Sequence, residues 1–140
     1  MSPIQQQPSE IHEGDVCRPD RSWGAKFSDA FRGMWAGFRG ESSFFAHFFI
    51  SAAVILAGIV LHLNMIEWCL LTICITVVLV TEMLNTALET MARAITDEPN
   101  PHIGGALDLG SAAVLLAAIG AATVGAIVLL NALAKLLGWF

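Results

Sequence analysis

Three polar side chains stand where an apolar run would be expected to continue. Residues 80–97 read VTEMLNTALETMARAITD and continue out of CLLTICITVVLV (69–80), with Val80 common to both. Glu82, Asn85 and Glu89 occupy positions i, i+3 and i+7 of that segment. At about 100° per residue they share one helix face, within about 60°. A charged group in hydrocarbon costs about 2.5–3.5 kcal/mol even on the lenient insertion scale, so the face is expected to turn away from lipid. Carboxylates placed this way can take a proton or hold a hard cation. Mg²⁺ uses one or two carboxylates and completes its shell with substrate phosphate oxygens.

The elements that must carry these groups follow from the apolar pattern. The chain has 140 residues, 56% of them hydrophobic and only 14% charged. Soluble domains run at about 45–50% and about 25%. The apolar residues come in long runs, so a single-domain membrane protein is expected, all-α, with a surface helix and three spans. Residues 23–41 place Trp23, Phe27, Phe31, Met34, Trp35 and Phe38 at spacings of three and four, with Lys26, Asp29, Arg32 and Arg39 mostly between them. That pattern predicts an amphipathic helix lying in the membrane interface. Spans are expected over about 43–63, 67–93 and 108–134. The purely apolar stretch from Trp68 to Val80 is too short for the roughly 20 residues a crossing needs. The second span must therefore run on through TEMLNTALE, which carries Glu82 to the membrane edge. NMIE (64–67) reads as a short link and TDEPNPHIGG (96–105) as a proline- and glycine-rich loop. Small residues recur in the third span at Ala117, Ala118, Ala121, Ala122, Gly125 and Ala126, a spacing that lets helices approach closely.

Arg18, Arg21, Lys26, Arg32 and Arg39 precede the first span and Arg93 ends the second, while only Lys135 falls on the other side. The positive-inside rule then puts the N-terminus and the 93–108 connection in the cytoplasm. With that topology Glu41, Glu82, Asn85, Glu89, Asp108 and Ser111 are expected to converge at the cytoplasmic edge. Taken singly, Glu41, Asp108 and Ser111 are equally well explained as helix-end residues reaching for water. The three-residue stripe is not.

Other chemistry is excluded or unsupported. The formal net charge is −5, and no basic stripe suggests a nucleic-acid partner. Cys17, Cys69 and Cys74 form no CxxC, zinc spacing or disulfide framework. No GxxxxGK[ST], HRD-type loop or GxGxxG is present. Residues 1–22 lack an apolar h-region after a basic start and read as a disordered tail, not a secretory signal.

EMLNTALE (82–89), DLGSAAVLLAA (108–118) and the DAFRGMWAGFRGE approach to the first span resemble the small bacterial integral-membrane lipid kinases, diacylglycerol kinase and its undecaprenol kinase branch. LNMIEW (63–68) and the surroundings of His47 are closer to the undecaprenol branch. The resemblance covers about residues 25–138. It implies a homotrimer in the bacterial inner membrane that transfers the γ-phosphate of ATP to a lipid hydroxyl, on diacylglycerol or undecaprenol. It implies Glu82 as general base and Glu41 and Glu89 as ligands of Mg²⁺. Asp29, Arg32, Glu41, Glu89, Glu98, Asn100 and Asp108 would bind nucleotide, with Asn85 and Ser111 in support. The sequence departs from the family pattern at three places. Leu107 stands where a lysine usually precedes the aspartate, Arg93 replaces an aspartate, and the loop histidine aligns with Asn100 while His102 lies two positions on. Arg93 or Arg32 is the candidate for the missing positive charge. The alternatives are a non-catalytic trimeric membrane protein that binds lipid or nucleotide, and a cation or proton pathway. Carboxylates grouped at one edge do not mark a path across, which disfavours the latter.

Overall fold

The computed structural model describes residues 22–40 and 42–139, without the side chains of residues 36, 38–40, 42 and 43. The expected tail over 1–22, except Ser22, and the candidate ligand Glu41 lie outside the described residues. The described chain is wholly helical: α1 (Trp23–Gly40), α2 (Ser42–Val60), α3 (Met65–Ile95) and α4 (Pro101–Leu136). α3 packs chiefly along α4, and α2 leans on α3 more than on α4. Two helices, α3 and α4, are long and apolar enough to cross a membrane, and α2 adds a shorter apolar stretch, Phe44–Val60.

α1 starts at a Ser22 cap, whose Oγ accepts from Ala25 N at 3.3 Å. Its aromatic face, Trp23, Phe27, Phe31 and Trp35, is exposed. The Lys26 ammonium lies 4.8 Å from the centre of the Trp23 ring. A charged head beside an aromatic anchor suits an interfacial helix.

α2 ends at Val60, before the expected 63, because the chain turns there. Leu63 N donates to Gly58 O and His62 N to Ile59 O, both at 3.2 Å. His62 takes φ 52°, the left-handed position that closes a helix in this way. The close return favours Gly58: a Cβ there would lie 3.0 Å from Leu63 Cδ1 and from Trp68 Cη2, so those side chains would have to shift.

The expected link over 64–67 is corrected. Asn64 is the N-cap of α3, accepting from Ile66 N at 2.9 Å and Glu67 N at 3.1 Å. Glu67 Oε2 accepts from Asn64 N at 2.9 Å, which completes a capping box. The loop expected over 96–105 is likewise shorter. Asn100 caps α4, Pro101 occupies its first turn, and the helix runs through Gly104 and Gly105. Proline is favoured at that position because it has no N–H to leave unpaired.

The buried core sits at one end, where Leu63, Leu71, Val128 and Ala132 meet with Trp68 and Leu129 around them. There Lys135 Nζ donates to Glu67 Oε1 at 3.2 Å, tying the end of α4 to the start of α3. Several hydroxyls on the apolar helices bond back to their own helix, Ser51 to His47 O at 2.7 Å and Thr76 to Thr72 O at 2.8 Å. Polar groups in hydrocarbon need such internal partners.

Candidate functional site

Along α3 the buried residues are Leu71, Val78 and Glu82. Continuing that seam by three and four gives Asn85 and Glu89, so the polar stripe extends the packing face of the helix. Glu82 is 2% exposed. Its carboxylate has no hydrogen-bond or ion-pair partner among the described residues. A buried, unpaired carboxylate is costly to a structure that gains nothing else from it.

One turn on, Asn85 Nδ2 donates to Glu89 Oε1 at 2.9 Å. The amide therefore fixes the glutamate's rotamer and leaves Oε2 without a hydrogen bond among the described residues. Asn85 Oδ1 points the other way, buried and without a partner among the described residues, as is Thr86 Oγ1. Facing Asn85 Oδ1 is Gly110 of α4, where a Cβ would collide with that oxygen and would meet Leu88 Cδ1 at 3.4 Å. Only a glycine admits the amide in this position. Gly110 lies within the DLGSAAV segment, but nothing local to its own helix reveals the role.

Past Glu89 the stripe opens into a hollow of about 650 Å³ lined by Glu89, Arg93, Thr96, Glu98, Asn100 and Leu107, among others. It lies between the last turns of α3, the 96–100 connection and the first turns of α4. Glu98 and Asn100 thus line the same hollow as Glu89. The Asn100 carboxamide oxygen is already used in capping, accepting from His102 N at 3.0 Å and Ile103 N at 3.4 Å. Arg93 and Leu107 also reach this hollow.

The six-residue convergence is not formed within one chain. Asp108 is exposed and does not line the hollow. Ser111 is also exposed, and its hydroxyl bonds back to Leu107 O at 3.1 Å. At about 100° per residue, Asp108 lies roughly 160° around α4 from Gly110, nearly opposite the face that meets Asn85. On α1, Asp29 and Arg32 form an ion pair with one another and do not line the hollow. Among the described residues no three His, Cys, Asp or Glu side chains gather as a metal centre. One oriented carboxylate, Glu89, still suits a hard cation that takes its remaining oxygens from phosphate and water.

A second cavity, of about 320 Å³, lies between α2, α3 and α4. Its walls are apolar apart from His47, Ser51 and Cys74, and they include Leu71, Val78 and Gly125. Val78 stands one turn before Glu82, so the cavity runs toward the buried carboxylate.

The sequence profile of the family described as prokaryotic diacylglycerol kinase matches residues 28–129. The chain is 33% identical over 122 residues to a protein named undecaprenol kinase from Bacillus subtilis (strain 168), covering 87% of this chain and 96% of that one. It is 37% identical over 113 residues to a protein named diacylglycerol kinase from Synechocystis sp. (strain ATCC 27184 / PCC 6803 / Kazusa), covering 77% of this chain and 65% of that one. With the profile spanning most of its length, the chain belongs to the prokaryotic diacylglycerol kinase family and is a membrane lipid kinase.

Proposed function

We propose that the chain transfers the γ-phosphate of ATP to the hydroxyl of a membrane lipid, diacylglycerol or undecaprenol, at the cytoplasmic face of a bacterial inner membrane. The observation that carries this reading is Glu82, buried and with no partner among the described residues, at the head of a stripe that leads through the Asn85–Glu89 pair into a polar hollow. At about 1.5 Å per residue Glu82 stands roughly 26 Å along α3 from Met65, and Glu89 roughly 36 Å. A bilayer core is about 30 Å thick. The stripe therefore straddles the boundary, with Glu82 on the lipid side and Glu89 on the aqueous side.

Phosphoryl transfer asks mainly for positioning and charge stabilisation. In this reading the lipid lies with its chain toward the apolar cavity and its hydroxyl at Glu82. A Glu82 oxygen takes the hydroxyl proton as the lipid oxygen bonds to the γ-phosphorus. The bond from that phosphorus to the β–γ bridging oxygen breaks, and ADP leaves. Glu89, held by Asn85, and Glu41 would hold Mg²⁺, which when bound would neutralise phosphate charge. Glu98 and Asn100 serve the nucleotide from the hollow wall, with Asp29 and Arg32 of α1 and with Asp108.

Three spans and a homotrimer belong to the same reading. Support comes from the wide apolar surface that one chain leaves exposed on α2, α3 and α4. In such an assembly Asp108, exposed and turned from its own chain's stripe, would serve a neighbouring copy. The test is purified protein in bilayers with MgATP and either lipid, following labelled phosphate into the lipid phase. Transfer to one of them supports the reading, and label reaching neither lipid contradicts it.

A further inference from the structure

We propose that Arg93 is the phosphate-binding cation of the hollow beside Glu89, gripping the nucleotide's phosphate groups from the α3 wall. This rests on the hollow being the nucleotide site, as proposed above. Among the described residues Arg93 is the one Lys or Arg that lines it. The opposite wall, from α4, contributes Ile103, Gly104 and Leu107, none with a charged side chain.

Nor does the start of α4 offer backbone donors. A helix N-terminus commonly binds anions through its unpaired N–H groups. Here Pro101 has none, His102 N and Ile103 N donate to Asn100 Oδ1, and Gly104 N donates to Asn100 O at 2.9 Å. Every N–H of the first turn is used. A polyanion entering this space finds its positive charge on Arg93.

The spacing suits the task. Arg93 follows Glu89 by four residues, so both stand on one face of α3 with their backbones about 6 Å apart along the axis. A cation held at Glu89 and a guanidinium one turn further out can bracket a polyphosphate. The guanidinium carries five N–H donors in a planar fork suited to phosphate. Arg93 already makes an interaction in the structure, and that number of donors serves more than one partner.

The experiment compares wild type, Arg93→Gln, Leu107→Lys and the double variant, measuring KM for MgATP, KM for lipid and kcat. Charge-assisted bonds contribute enough that Arg93→Gln is expected to raise KM for MgATP about tenfold or more, with KM for lipid unchanged. Leu107 faces the same space from α4, so a lysine there returns the charge. The double variant is expected to recover most of the MgATP affinity, and Leu107→Lys alone to lower KM for MgATP. An unchanged KM in Arg93→Gln overturns the proposal. A rise that Leu107→Lys does not reverse also overturns it, as does an equal rise for lipid and MgATP with a lowered melting temperature. If Arg93→Gln does not fold, the Leu107→Lys single variant decides by the same criterion. If wild type phosphorylates no lipid, the kinase reading fails separately, and equilibrium binding of Mg·AMP-PNP to the same proteins still decides the role of Arg93.

Discussion

Gly110 of α4 abuts the Asn85 amide of α3 so closely that no Cβ fits between them. The same amide donates to Glu89 at 2.9 Å. A backbone position on one helix thereby sets the rotamer of a carboxylate on the other. Gly110→Ala is expected to push the amide away and break that bond. Hydrogen bonds to charged groups contribute about 1.5–3 kcal/mol, so kcat/KM should fall by roughly 10- to 100-fold. In an Asn85→Ala background the same substitution should add little. A double-mutant cycle on lipid phosphorylation measures this coupling, and additive losses would separate Gly110 from Asn85.

In the proposed mechanism Glu89, with Asn85 donating to its Oε1, holds the divalent ion. Glu89→Gln should raise the Mg²⁺ concentration for half-maximal activity by about tenfold or more, since a charged ligand becomes neutral. Chelation should stop turnover and added Mg²⁺ restore it. A Mg²⁺ titration of both proteins checks this, and identical curves would remove Glu89 from the metal site.

The opposite end of the bundle should govern stability alone. Asn64→Ala removes both bonds that cap α3 and should lower stability by about 1 kcal/mol. Lys135→Ala should lower it less, because the Lys135 side chain is 51% exposed and its pairing with Glu67 is screened by water. Thermal unfolding in detergent gives the order, and KM values should stay at wild type in both variants.

What the sequence made legible was whatever depends on periodicity. The aromatic face of α1 and the shared face of Glu82, Asn85 and Glu89 are local repeats, and both are present. At the start of α4, Asn100-Pro101 and Gly104-Gly105 look like a loop in the sequence. Asn100 acts as a cap and Pro101 fits the first turn, so the helix begins at 101, where 108 was expected. The capping box of Asn64 and Glu67 was visible as a three-residue spacing but passed for a link. Gly110 could not be read at all, since its partner is 25 positions away and on another helix. The gathering of Asp108 and Ser111 with Glu82 rested on membrane depth, and depth does not fix which way a residue faces around its helix.

The most direct test of the central claim is a single-turnover measurement of γ-phosphate transfer from MgATP to lipid in bilayers by wild type and Glu82→Gln. General-base removal typically lowers a rate by about 10²–10⁴-fold. A loss of that size is expected in Glu82→Gln, with MgATP still bound at wild-type affinity. Transfer by Glu82→Gln at the wild-type rate would contradict it.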